Sequence, residues 1–197
     1  MAPPRDIDPT GLYHVMSRGN FKQVIFLDDD HFVKYLQLVD RVSIRQRWIV
    51  LDWCLIPNHY HLLIQLQDGG LSDGMRELNG CFSRWSNRQT GRTGTGHLIK
   101  NRPRMVDVIR EGHLWELLSY IPLNPVRRGL VDEPSEWPWS GYRATLGLEH
   151  PYRFHQPGQL LRLFGNDRRQ ALARYETLVR DSRDRDGQPL WSDQVAG

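Results

Sequence analysis

At 197 residues, with 39% hydrophobic and 25% charged side chains, the chain has apolar material for one ordinary core and an appendage, which excludes a largely disordered polypeptide. The net charge is only +3, yet a pI near 9.0 built on arginine favours an anionic partner, because the guanidinium fork of donors matches phosphate. Cys54 and Cys81 lack the spacing of a zinc site or disulfide framework, and no apolar run approaches the roughly 18 residues of a membrane span, so a soluble cytoplasmic protein with no membrane partner is expected.

Residues 12–17 alternate as a first strand, which Arg18-Gly19-Asn20 breaks. Asp28-Asp29-Asp30 then offers an N-cap and negative charge to a helix whose apolar positions Phe32, Tyr35, Leu36, Val39 and Val42 recur at helical spacing. Trp48–Ile56 reads as an apolar strand, Pro57-Asn58 as a tight turn, and the following run through Leu66 as the second arm of an antiparallel hairpin. Leu71, Met75, Leu78, Phe82 and Trp85 fall three and four apart, the stripe of an amphipathic helix with Ser72 as its cap. A glycine and threonine loop over 89–96 leads to a fourth strand within 97–108, interrupted by Pro103.

The order β-α-β-β-α-β predicts an α+β fold with a ferredoxin-like antiparallel sheet, its first and third strands central neighbours and both helices on one face. Beyond it, residues 112–123 read as a helix, and Asn124 is expected to cap a short second helix with Pro125 at its first position and Gly129 ending it. Trp137-Pro138-Trp139-Ser140-Gly141-Tyr142 reads as an aromatic turn that packs, 151–158 as a proline-bearing linker, and 166–183 as a helix through Leu172, Tyr175, Leu178 and Val179. The last dozen residues read as a flexible tail. The expected division is a main domain over 1–147 and a C-terminal helical extension over 148–197.

His59 and His61 flank one residue of the third strand, so both imidazoles project to one face while Tyr60, Leu62, Ile64 and Leu66 project to the other. Such a pair by itself is more often a hydrogen-bonded structural feature than a metal site. Tyr120 and Asn124 change the weighting, since residues four apart on a helix share a face and bring a phenol and an amide oxygen toward one ion. Two imidazoles and one oxygen leave open positions for phosphate and water, and the mixed nitrogen and oxygen set favours magnesium or manganese over thiolate-bound zinc. Pro122, between Tyr120 and Asn124, predicts a kink.

Four ordered stretches together resemble the single-tyrosine HUH (IS200-like) transposases, and among them the REP-associated tyrosine transposases. They are Tyr13-His14-Val15-Met16-Ser17-Arg18-Gly19-Asn20, Pro57-Asn58-His59-Tyr60-His61-Leu62-Leu63, the run from Tyr120 to Val131, and Trp137 to Tyr142. The resemblance implies a divalent metal on His59 and His61, with Asn124 matching the polar residue that completes the site. It also implies attack by Tyr120 on single-stranded or hairpin DNA, giving a 5′-phosphotyrosine link and a free 3′-hydroxyl. Arg18 and Asn20 are candidates for a phosphate or hairpin base, and Arg127 and Arg128 for a phosphate clamp. His14 is a candidate DNA contact, a support for the histidines or a core residue. The protein is expected to act as a monomer or homodimer. A noncatalytic single-stranded nucleic-acid-binding module on the same sheet is the alternative, and a metal-dependent hydrolase using activated water is a third reading.

Between 76 and 110 the basic residues Arg76, Arg84, Arg88, Arg92, Lys100, Arg102, Arg104 and Arg110 face only Glu77 and Asp107 as acids. If Arg84, Arg88 and Arg92 track a DNA backbone, neutralising all three weakens hairpin binding equally across sequences and flattens its salt dependence, because fewer counterions are released. A salt titration checks this, and an unchanged slope reduces the stretch to solvated surface.

Overall fold

The computed structural model describes residues 7–68, 70–92, 98–100 and 102–184. Leu12–Arg18 forms β1, Asp29–Gln46 α1, Trp48–Ile56 β2, His59–Leu66 β3, Leu71–Gln89 α2 and Arg104–Asp107 β4. The strands pair antiparallel in the order β2-β3-β1-β4, so β1 and β3 are central, as a ferredoxin-like sheet requires. β4 starts only after Pro103, which has no N–H for a ladder. Upstream of it, Ile99 makes one bridge to Gly19, while residues 93–97 and the expected C-terminal tail lie outside the described residues.

One face of the sheet is covered by α1 and α2. Val15, Trp53, Leu55, Tyr60, Leu62 and Ile64 pack there against Tyr35, Leu36, Val39, Leu78 and Phe82. Burying each such side chain contributes about 1.5–3 kcal/mol, which is why α1 and α2 dock through the apolar stripes visible in their sequences. Asp28 caps α1 by accepting from the His31 N–H at 3.0 Å. The expected Ser72 cap of α2 is corrected: the helix begins at Leu71 behind Gly70, which makes no side-chain cap. Gly70 sits at φ +82, the left-handed region that glycine enters without a Cβ penalty, so the turn into α2 asks for glycine through its backbone.

On the other face lies α3, Glu111–Arg127, a single helix that runs through Pro122 and Pro125. The expectation of a second helix capped by Asn124 is therefore corrected. Proline's fixed φ near −65° is itself helical, so each ring removes one N–H bond without forcing a new start where tertiary packing holds the helix. Leu117, Leu118, Ile121 and Leu123 supply that packing, buried with Leu51, Cys54, Ile56 and Leu63 of the sheet. The helix ends where Gly129 was expected to end it: at φ +65 its N–H donates to Val126 O at 2.9 Å and that of Leu130 to Pro125 O at 3.0 Å, a Schellman arrangement.

The remaining elements are α4 (Tyr142–Thr145), α5 (Pro157–Arg162) and α6 (Arg168–Asp184). Asp167 caps α6 by accepting from the Gln170 N–H at 2.8 Å, and Ala171, Tyr175 and Val179 bury that helix in the α3 layer. The open edge of β2 is closed by two segments. Leu55 N–H donates to Trp139 O at 2.9 Å and Gly141 N–H to Trp53 O at 2.8 Å; further along, Val50 exchanges bonds with Phe154 and Gln156. The segment expected as a linker over 151–158 thus serves partly as edge cover. Trp137 and Trp139 pack, the first donating to Leu55 O at 2.8 Å and the second stacked on Phe32 at 4.7 Å. Among the described residues no helix is long and apolar enough to cross a membrane.

A bulge in β2 leaves Leu51 unopposed between the pairs Val50 with Ile64 and Asp52 with Leu63. It turns Asp52 into the α3 layer, fully buried, accepting from the Trp53 N–H at 2.8 Å. Burial pushes its carboxyl up to about 8. A group raised in the folded state gives stability that is present below its unfolded pKa, near 4, and lost as pH rises through about 8. Asp52→Asn is expected to match the parent in melting temperature near pH 4 and to exceed it increasingly toward pH 9. A difference that stays constant across a circular-dichroism pH series overturns this.

Candidate active site

His59 and His61 leave β3 on the α3 side, as strand alternation dictates, and both are buried at 4% and 1% exposure. Their rings stand edge to face with centroids 5.0 Å apart. Asn124, inside α3, spans them with one carboxamide: Oδ1 lies 3.0 Å from His59 Nε2, and Nδ2 donates to His61 Nε2 at 3.1 Å. The far nitrogen of each ring also has a partner. Asn58 Oδ1 is 2.7 Å from His59 Nδ1, and His14 Nε2 is 2.9 Å from His61 Nδ1.

Tyr120 lies one helical turn before Asn124 on the same face, its ring 5.3 Å from that of His61 at 86°. It is 8% exposed, so its ring is packed. The guanidinium of Arg127 lies over this ring, 5.1 Å from its centroid. Pro122 does not separate Tyr120 from Asn124, because α3 continues through it.

Burial holds His59 down at about 3, with Arg128 and Arg18 adding to the effect. Burial likewise holds His61 well below the ordinary histidine range, assisted by His59, His14 and Arg128. Both rings are therefore neutral at neutral pH and carry one proton each. His59 faces two oxygens, Asn58 Oδ1 and Asn124 Oδ1, with one proton to share. In the neutral ring one of those contacts sets a lone pair against an oxygen, a mismatch that a bound cation, a second proton or a turned carboxamide would each relieve. Two neutral imidazoles and an amide oxygen are also ligands that a divalent ion such as manganese or magnesium accepts. No cluster of three or more His, Cys, Asp and Glu suited to a metal occurs among the described residues, so a cation here would rest on these three groups and water.

The other sequence candidates divide. Arg18 pairs directly across the strands with His59, and with Arg128 it gives the site a positive field. Asn20 follows, half-buried, its N–H donating to Leu98 O at 2.9 Å. Of the three readings of His14, burial favours support of the histidines: it is 1% exposed, bonded to His61 and stacked on its ring at 5.2 Å, a position from which it can orient that ring. Arg84 and Arg88 stand exposed on α2, across the sheet from the histidines, whereas Arg92 reaches the segment after β1 by donating to Gln23 Oε1 at 3.4 Å. Sequence reasoning missed Asn58 as the partner of His59, although an amide directly before a ligand-type histidine was a signal. It also missed Phe21, an aromatic inside a polar turn.

Residues 10–116 match the family described as Transposase IS200 like. Among solved structures, a REP-associated tyrosine transposase bound to a REP hairpin shares the fold, with a TM-score of 0.61 at 18% identity over 75% of this chain and 86% of that one. A candidate transposase from Deinococcus radiodurans R1 aligns at 16% identity over 61% of this chain and 95% of the other, with a TM-score of 0.43. No protein with a curated description matches the chain. The family match takes in all four strands and both histidines of β3 and stops four residues before Tyr120. The chain belongs to the IS200-like transposase family.

Proposed function

We propose that this chain nicks and rejoins single-stranded DNA by transesterification, with Tyr120 as nucleophile and a magnesium or manganese ion held by His59, His61 and Asn124. The observation that carries this reading is the Asn124 carboxamide joining both imidazoles one turn from Tyr120. Hairpin-flanked DNA is the proposed substrate class, since the similar solved transposase was bound to a REP hairpin.

In the reaction the Tyr120 oxygen forms a bond to phosphorus as the bond from phosphorus to the 3′-oxygen breaks. The phenolic proton is released, and the departing 3′-oxygen takes up a proton to become a hydroxyl. One phosphoester replaces another, so the 5′-phosphotyrosine conserves the bond energy and the reverse step rejoins the strand without an external energy source. When bound, the divalent ion supplies Lewis-acid polarisation of the scissile phosphate. Arg18, Arg127 and Arg128 draw the phosphate in and stabilise charge that develops on its oxygens, and Asn20 is proposed to meet the strand beside Arg18. Asn58 and His14 fix the ring orientations of the two ligands. The noncatalytic alternative needs aromatics on an open sheet, but Tyr13, Trp48, Trp53 and Tyr60 are all buried.

Tyr120→Phe keeps the ring and removes the nucleophilic oxygen. It is expected to abolish the covalent adduct with a 3′-labelled hairpin DNA in manganese while leaving hairpin binding nearly intact. Denaturing electrophoresis reads the outcome: undiminished adduct in the variant moves the nucleophile elsewhere, and free cleaved ends without adduct in the parent select a water-activating hydrolase. Asn58→Ala touches no proposed ligand position, yet it should weaken manganese binding by about 10–100-fold by freeing the His59 ring, whereas His61→Ala should abolish it. Calorimetric titration with manganese alone checks both, and unchanged affinity in Asn58→Ala removes the orienting role.

A further inference from the structure

Between β1 and α1 the chain exposes Phe21 almost completely, at 95%. Its backbone is left-handed, with φ 51 and ψ 30, and Lys22 follows at φ 62. Residues with a Cβ adopt that region at a cost, and an aromatic ring in water adds a second penalty. Both persist because the segment is clasped from several sides. Gly19 N–H donates to Asn58 O and Asn20 N–H to Leu98 O, each at 2.9 Å, while Ile25 and Phe26 both donate to Pro57 O, at 2.7 and 3.0 Å. The Gln23 side chain adds a bond to Leu98 O at 3.0 Å. The bracket is therefore built onto the Pro57-Asn58 turn, whose Asn58 side chain also holds His59.

Its surroundings are cationic. Residues 18–27 contain Arg18 and Lys22 and no acid, and Arg92 reaches in to Gln23 at 3.4 Å. An exposed ring on a clasped backbone, flanked by positive charge, suits a flat, anionic polymer better than an apolar protein surface.

We infer that Phe21 is a stacking platform for an unpaired nucleobase of the DNA strand engaged at the histidine site, with Lys22 and Arg92 on the adjacent phosphates. The inference rests on the nicking function only for the identity of the strand. Base stacking on a phenyl face is tolerant of sequence, so Phe21 holds and aligns the strand while specificity comes from other contacts.

The test uses the full chain, a single-stranded 20-nucleotide DNA of random sequence, and an abasic sugar-phosphate strand of the same length. Phe21→Gly is expected to bind the base-bearing strand about tenfold more weakly with an unchanged salt slope, since no charge is lost. The same variant should melt at a higher temperature, because glycine accepts the left-handed backbone. Phe21→Trp should retain parental affinity, and the abasic strand should bind parent and Phe21→Gly alike. Equal affinity of parent and Phe21→Gly for the base-bearing strand overturns the platform, as does an equal loss on the abasic strand. If the parent nicks hairpin DNA normally while Phe21→Gly binds the base-bearing strand unchanged, only the platform falls; if the parent binds neither strand and forms no adduct on hairpin DNA, the nicking function falls with it.

Discussion

One carboxamide ties the molecule together at its chemical end. Asn124 meets His59 through its oxygen and His61 through its nitrogen, so it sets the position of α3 over β3 to within hydrogen-bond tolerance. That contact exists only because α3 is continuous through two prolines, which keeps Tyr120 and Asn124 on one face. The helix tolerates the lost N–H bonds because Leu117, Leu118 and Ile121 are fully buried against the sheet. Packing of apolar side chains thereby places a phenol, an amide and two imidazoles on rigid elements, where rotamers are held by neighbours on every side.

Strand register is the second constraint. In β3 the residue between the histidines points into the α1 and α2 layer, where the Tyr60 hydroxyl donates to Asn79 Oδ1 at 3.0 Å. A one-residue slip against β1 would exchange this phenol for a histidine and send both imidazoles into an apolar core. The pairs Met16 with His61 and Arg18 with His59 fix the register, and they also bring Arg18 to the site. The bulge at Leu51 reverses the phase of β2 midway, so that Trp48 and Val50 before it and Trp53 and Leu55 after it all reach the same core.

Electrostatics at this end follow from burial and from guanidinium groups rather than from carboxylates. Desolvation keeps the imidazoles neutral, the state in which they bind a cation, while Arg18 and Arg128 oppose their protonation. A cluster with spare lone pairs inside a positive rim suits a phosphate and a divalent ion together. The clasped bracket bearing Phe21 extends the same end with an aromatic face. The exposed Arg84 and Arg88 of α2 lie in the other layer while Arg92 reaches the bracket, so basic residues that cluster in sequence are divided in space.

Periodicity in the sequence determined the strands, the helices of the sheet, the central pairing of β1 and β3, and the shared face of His59 and His61, because those depend on local alternation and on burial of one side. The ordered motifs determined the family, with Tyr120 and Asn124 singled out in advance. What local rules misjudged was α3: proline and asparagine favour a helix start when read alone, and only burial against Leu63 and Ile56 makes a continuous helix the better solution. Tertiary structure alone decided that His14 supports His61, that Asn58 holds His59, and that the segment around His155 closes the edge of β2, since each depends on partners far away in sequence. The same holds for Phe21, whose exposure and left-handed backbone come from hydrogen bonds to Pro57, Asn58 and Leu98 that no spacing within its own turn encodes.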